Sequence, residues 1–253
     1  MLTSEDIENR IVLSDNLEAL RSIQESSIDL IYSDILYGTG RKFDAYQDIK
    51  SDKQEVLYHY EPRISEMKRI LKKTGQIYLQ MDWRIVHWIR CIMDDVFGYN
   101  NFRNEIIWQY HSAPRTKNAF SKRHDTILRY SKSGKYYFDD TSVREPYMKN
   151  NPISKTKEEY YNKLGKVIGD VWTDIPMLPQ KDRKERVGYP TQKPIALMER
   201  IILSSSKPGD LVADFYCGSG TTCVTSKMHG RKYFGVDSST KAYLMTQRRL
   251  MNT

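Results

Sequence analysis

The sequence predicts an α/β fold with a mostly parallel sheet flanked by helices. Three observations carry this expectation. β-branched runs alternate with helical spacings along most of the chain. Two of the runs, IDLIY at 28–32 and LVADF at 211–215, read as buried strands that stop abruptly at a turn. A Gly-Ser-Gly turn then separates the second run from a helical stretch.

Taken in order, residues 11–23, IVLSDNLEALRSI, read as a short strand, a turn at Ser14-Asp15-Asn16 and a helix. Asp15 stands just ahead of Leu17, Leu20 and Ile23, as a helix cap would. After the 28–32 strand, Leu57, Ile64, Met67, Ile70 and Leu71 predict a helix over 54–73, with Pro62 expected to kink or restart it. Gly75 ends that helix and QIYLQM (76–81) is the next strand. Residues 83–97 form a helix stopped by Gly98. EIIWQY (105–110) and TILRYSK (126–132) are strands, and 136–138 is expected to add an edge. Residues 139–186 have few apolar runs, several prolines and mixed charge, and read as an inserted module or long loops. Beyond them come a helix through 204, the 211–215 strand, a helix to Met228, a strand at 232–237 and a last helix at 239–251. Three segments are therefore expected: 1–138, 139–186 and 187–253.

Composition narrows the class. No stretch approaches the ~20 apolar residues of a membrane span, and the N-terminal residues lack the pattern of a signal peptide. Three cysteines without metal-ligand spacing argue against a disulfide framework or a metal site and for a reducing, cytoplasmic setting. Lys and Arg outnumber Asp and Glu by 40 to 32, a net charge of +8 that favours polyanionic partners without requiring one.

Two turns carry candidate chemistry. In LVADFYCGSGTT, Gly218 and Gly220 permit a tight turn and close approach of a ligand. Asp237 ends the next strand 19 positions after Gly218, where an acid can accept from the hydroxyls of a ribose. No Gly-Lys-Ser/Thr follows, so the turn is not a Walker phosphate loop. Asp214 inside the turn suits a cationic cofactor such as S-adenosylmethionine, whose ammonium it could receive; alternatively it caps a helix. The second turn, SDILYGTG, puts Asp34 and Tyr37 at the carboxyl end of the first buried strand, the edge where open α/β sheets bind ligands. A tyrosine there can stack on a nucleobase while the carboxylate accepts from its exocyclic amine, which frees the amine's lone pair. The plainer alternative is a turn cap beside a pocket-filling ring.

With GYPTQKP added, the chain resembles the beta-class DNA amino-methyltransferases, in which a catalytic block precedes the cofactor block. That family's D-P-P-Y is here Asp34-Ile35-Leu36-Tyr37, and its D-P-F-x-G-S-G-T-T is Asp214-Phe215-Tyr216-Cys217-Gly218-Ser219-Gly220-Thr221-Thr222. Pro190 to Pro194 keep the Pro-Thr-Gln-Lys-Pro run intact. The resemblance spans nearly the whole chain and extends to the type III modification subunits and small solitary adenine methyltransferases. It implies a Rossmann-like, S-adenosylmethionine-dependent fold of permuted motif order. It also implies cofactor contacts from Asp15, Asp34, Thr191, Lys193, Asp214, Phe215, Tyr216, Gly218, Ser219, Gly220, Thr221 and Asp237. Arg249-Leu250 match the family's closing helix. Both prolines of the catalytic motif and the proline of the cofactor motif are missing, which removes the fixed φ that preorganises such loops. The expectation is a slower enzyme or a loop held by other packing, with a catalytically silent DNA-binding homologue or partner subunit as the alternative. Asp rather than Ser at the first motif position favours adenine-N6 over cytosine-N4 as the target. An RNA or small-molecule methyltransferase of the same fold is the remaining rival.

Between 115 and 135 there are seven Lys/Arg and one acid. Arg115, Lys117, Lys122, Arg123, Arg129 and Lys132 are accordingly expected to meet the phosphates of double-stranded DNA. Residues 139–186 occupy the place of the family's target-recognition region, with Tyr147, Tyr160, Tyr161 and Trp172 as candidates for base contacts or for packing. About 50 residues are few for reading a duplex, so a homodimer or a short recognition site is expected. A companion restriction endonuclease is left open.

Overall fold

The computed structural model describes residues 1–43, 46–111, 116–147, 162–179, 181–182 and 184–253. Its strands are β1 (Arg10–Leu13), β2 (Ile28–Asp34), β3 (Leu71–Met81), β4 (Phe102–Gln109), β5 (His124–Ser131), β6 (Val171–Trp172), β7 (Leu211–Asp214) and β8 (Lys232–Asp237). Its α-helices are α1 (Ser4–Ile7), α2 (Asn16–Ser22), α3 (Lys53–Ile70), α4 (Val86–Phe97), α5 (Ile195–Ser205), α6 (Thr221–Met228) and α7 (Thr240–Met251). All eight strands form one sheet in the order β1-β8-β7-β2-β3-β5-β4-β6. The pairings β1–β8, β8–β7, β7–β2, β2–β3 and β4–β6 are parallel; β3–β5 and β5–β4 are antiparallel.

Period-two alternation builds a core on each face. Ile77, Leu79 and Met81 of β3 join Ile31 in a cluster with α2, α3 and α4. Leu30, Tyr32 and Tyr78 point the other way, into a cluster with Ile127 and the apolar face of α5 (Leu197, Met198, Ile201, Ile202). Strands buried on both faces explain the near-continuous apolar runs in the sequence.

Four local expectations are corrected. Pro62 neither ends nor restarts α3, which runs unbroken from Lys53 to Ile70. The carbonyl it deprives of a donor belongs to Tyr58, 87 % exposed on the solvent side, where water can replace the bond. Leu71 already belongs to β3, so that helix ends before 73. Residues 136–138 form no strand. The described part of 139–186 is not a detached module. β6 extends the sheet beside β4, and Trp172, 6 % exposed, packs into the α5-side core. Trp172 is thus a packing residue, while Tyr160 and Tyr161 lie outside the described residues. α1, with a Thr3/Asp6 capping box, was not anticipated from its four residues.

Candidate active site

Parallel strands deliver their carboxyl ends to one edge, and this sheet places an acid at four consecutive ones. Asp15 follows β1, Asp237 ends β8, Asp214 ends β7 and Asp34 ends β2. They surround a cavity of about 400 Å³. Of the residues expected in the catalytic and cofactor motifs only Gly220 does not line it; Gly220 is instead the left-handed N-cap of α6, at φ +77°.

The Gly-Ser-Gly turn is built so that side chains cannot enter it. A Cβ on Gly218 would stand 3.2 Å from the Tyr189 ring, and one on Gly220 would stand 2.4 Å from Thr246. Asp237 holds the turn through the Gly218 amide (2.8 Å). Arg249 of α7 donates to the Ser219 carbonyl (2.7 Å) and to Thr221 Oγ1 (3.1 Å). Asp214 lies beneath the turn, 2 % exposed, accepting from Thr222 Oγ1 (2.6 Å) and the Tyr216 amide (3.0 Å). Burial raises its pKa to about 7 against those hydrogen bonds. Burial likewise raises Asp237 and Asp34 above the ordinary carboxylate value. Asp15 caps α2 through the Leu17 and Glu18 amides and pairs with Arg63 at 3.2 Å. Such a chamber suits a nucleoside-sized cation. The acids line its wall, and the glycines let backbone approach the ligand.

The Asp34–Tyr37 loop meets this chamber from the β2 end. Its missing prolines are replaced by specific contacts. The Ile35 amide donates to the Gln80 carbonyl (3.0 Å), and Ile35 is 2 % exposed. Tyr60 donates to the Leu36 carbonyl (2.9 Å). The Gly38 and Thr39 amides donate to Asp48 (3.1 and 2.8 Å). The loop is thus held by other packing, as one of the expectations for it had it. No described residue donates to the Ile35 carbonyl. Asp34 Oδ1 accepts from the Tyr37 hydroxyl (2.8 Å), and Oδ2 is ion-paired with Lys193. Ser33 accepts from the Phe215 amide (3.2 Å) and does not line the cavity, whereas Asp34 does. Thr191 sits at φ +58°, a strained setting for a β-branched residue, and Gln192 pins the loop beside it through Val187 and Glu185 (both 2.9 Å).

The basic run divides. Lys117, Lys122 and Arg123 are exposed in the loop between β4 and β5, and Arg115 lies outside the described residues. Arg129 is not DNA-facing. It is 4 % exposed, inside the sheet, donating to Gln76 (2.7 Å) and Asn104 (3.1 Å) with its guanidinium 4.2 Å from the Phe138 ring centroid. Lys132 is also withdrawn, its ammonium donating to the Leu71 and Arg69 carbonyls at 2.6 and 3.0 Å. It follows the far end of β5, where Ser131 pairs with Gln76, while Thr126 pairs with Met81 at the cavity edge. That separation is roughly 17 Å. A sequence reading sees the charges but not that β5 is an inner strand.

Three residues escaped that reading. Asp125 and Gln80 hydrogen-bond beside Tyr37. Trp83, 42 % exposed just after β3, carries Lys122 and Arg84 at 4.3 and 4.9 Å from its ring centroid. Only a strand pairing that joins distant segments brings them to this edge.

A family model described as DNA methylase matches residues 28–248. The chain belongs to the DNA methylase family. Membership gives the reaction class, methyl transfer to DNA with S-adenosylmethionine. Among curated relatives, the DNA adenine methyltransferase YhdJ of Escherichia coli K12 is 32 % identical over 253 residues, covering 95 % of this chain and 82 % of YhdJ. The type II methyltransferase M.HpaI of Haemophilus parainfluenzae is 30 % identical over 249 residues, covering 96 % and 74 %. Among solved structures, the cytosine-N4-specific PvuII DNA methyltransferase superposes with a TM-score of 0.71 at 17 % identity, covering 94 % of this chain and 85 % of that one. The M1.HpyAVI–SAM complex gives 0.63 at 19 % identity, covering 95 % and 98 %. These two share the fold of this methylase. Among the described residues, no helix is long and apolar enough to cross a membrane.

Proposed function

We propose that this methylase transfers a methyl group to the N6 amine of an adenine flipped out of double-stranded DNA. The observation that carries the reading is the pairing of Asp34 with the unengaged Ile35 carbonyl beside the acid-lined chamber. A duplex hides N6 in the stack, so the base must leave it to reach this edge. Tyr37 stacks on the flipped base. Asp34 and the Ile35 carbonyl accept hydrogen bonds from the two amine hydrogens, drawing the nitrogen towards sp³ and aiming its lone pair; as the N–C bond forms and the methyl group's S–C bond breaks, the amine becomes acidic and sheds one proton to solvent. S-adenosylmethionine, when bound, supplies an electrophilic methyl group. Asp15 and Asp237 hold its adenosine end, and Thr191 and Lys193 its carboxylate, which draws the ammonium off Asp34. The rate comes from orientation and electrostatics, with no covalent adduct to the protein. Lys117, Lys122 and Arg123 contact phosphate and Trp83 offers a stacking surface at the rim. The protein works in the cytoplasm, and its short recognition region favours a homodimer.

The test is methyl transfer to duplex DNA by purified protein, with the product digested to nucleosides and identified by mass. N6-methyladenine is expected, and Asp34→Ala should reduce it at least about a thousandfold with the fold intact. N4-methylcytosine as the product, or an Asp34→Ala variant as active as wild type, would overturn the reading.

A further inference from the structure

A second buried carboxylate stands beside Asp34. Asp125 is 4 % exposed and lies at the start of β5. Because β5 runs antiparallel to β3, its first residues reach the edge where the parallel strands end. Asp125 Oδ2 accepts from the Tyr37 hydroxyl at 2.6 Å and from Gln80 Nε2 at 2.8 Å, and Oδ1 accepts from the Tyr110 hydroxyl at 3.2 Å. Gln80 is turned to donate because its own oxygen takes the Tyr32 hydroxyl at 2.7 Å. Among the described residues no Lys, Arg or His forms an ion pair with Asp125.

Tyr37 has one hydroxyl proton and two carboxylates in reach, Asp125 at 2.6 Å and Asp34 at 2.8 Å. A proton given to Asp34 would occupy an oxygen that must accept the target amine. A proton given to Asp125 leaves that oxygen open and locks the ring's orientation. The loop has no proline at 35 or 36 to do so.

We propose that Asp125 is a positioning residue of this active site: it takes the Tyr37 hydroxyl proton, fixes the ring for stacking and keeps Asp34 free for the amine. The inference rests on the methyltransferase reading above. Gln80 and Tyr32 hold Asp125 in this acceptor role, so the half-buried Tyr37 ends a chain of three buried side chains, Asp125, Gln80 and Tyr32.

Single-turnover methyl transfer is the test, with Asp125→Ala, Asp125→Asn, Tyr37→Phe and the Tyr37→Phe/Asp125→Ala double variant. Asp125→Ala should lower the rate about 10- to 100-fold while cofactor affinity stays within about twofold. Asp125→Asn, which keeps an acceptor oxygen, should return to within about fivefold of wild type. Tyr37→Phe should match Asp125→Ala to within about threefold, and adding Asp125→Ala to it should cost less than about threefold more. Wild-type rates in Tyr37→Phe or Asp125→Ala, or the same Asp125→Ala loss with and without the hydroxyl, would refute the proposal. If Asp125→Ala does not fold, Tyr37→Phe still decides. A fluorotyrosine at position 37 supplies a readout independent of transfer. Its ¹⁹F signal should shift or broaden in Asp125→Asn, and an unchanged signal counts against the coupling. A wild-type protein that methylates nothing would instead remove the functional reading, and the fluorine signal would still judge Asp125.

Discussion

Asp214 shows how one residue ties folding to ligand binding. Its carboxyl is buried, and its pKa stands near 7 against an ordinary 3.8. Between those values the folded state holds a proton that the unfolded chain has lost. This group therefore lowers stability as pH rises, by up to about 1.4 kcal/mol per unit, until the penalty is complete above pH 7. Asp34 and Asp237 are shifted the same way by burial. A cationic ligand favours the ionised acids, so its affinity should rise with pH across 6 to 8 and its uptake should release protons. Calorimetric titration of S-adenosylmethionine in two buffers of different ionisation enthalpy measures both effects; affinity that falls over this range would contradict the acid-lined reading of the chamber.

At the level of elements, the turn before α6 is tightly constrained. Gly220 combines φ +77° with Thr246 so close that a methyl group cannot fit. Gly220→Ala should cost roughly 2–4 kcal/mol from strain and overpacking together, read by urea unfolding; Gly134→Ala, with nothing within 4 Å, is the control. This turn was legible in the sequence because its chemistry is contiguous: strand, acid, glycines, helix. The same holds for Asp34 and Asp237, each ending a recognisable strand, and for Asp15, just past one. Asp125 and Gln80 were not legible, since their meaning depends on β5 reversing beside β3 over a span of 45 residues. Arg129 was misplaced for a related reason. A charge in a basic run signals solvent only when the strand lies on the surface, and β5 is enclosed by β3 and β4. The lost prolines were visible, but the replacements, Tyr60 and Asp48, are set by how α3 and the loop before it pack.

For the whole molecule, the +8 charge acquires a direction. Lys117, Lys122 and Arg123 are exposed on the loop that leads into the start of β5, whereas Lys132 closes the opposite end of that strand. Each phosphate contact contributes about 0.9 to the slope of log affinity against log salt. The Lys122→Ala/Arg123→Ala variant should flatten that slope by about 1 to 2, and Lys132→Ala should leave it unchanged. Fluorescence anisotropy of a labelled duplex over a salt series tests this; equal effects from both variants would mean the duplex does not approach from the catalytic edge.

β1 lies beside β8, and Glu8 is paired with Lys232, so elements from the two ends of the sequence are neighbours in space. Order along the chain and order across the sheet are therefore separable. Opening the chain between β6 and α5, and joining α7 to α1 by a linker long enough to span them, would leave every strand pair uncut. The Gly-Ser-Gly turn would then precede the Asp34–Tyr37 loop in sequence, with the same chamber between them. The chamber is thus a property of how the strands lie side by side, and the succession of motifs along this methylase is one of the orders compatible with that arrangement.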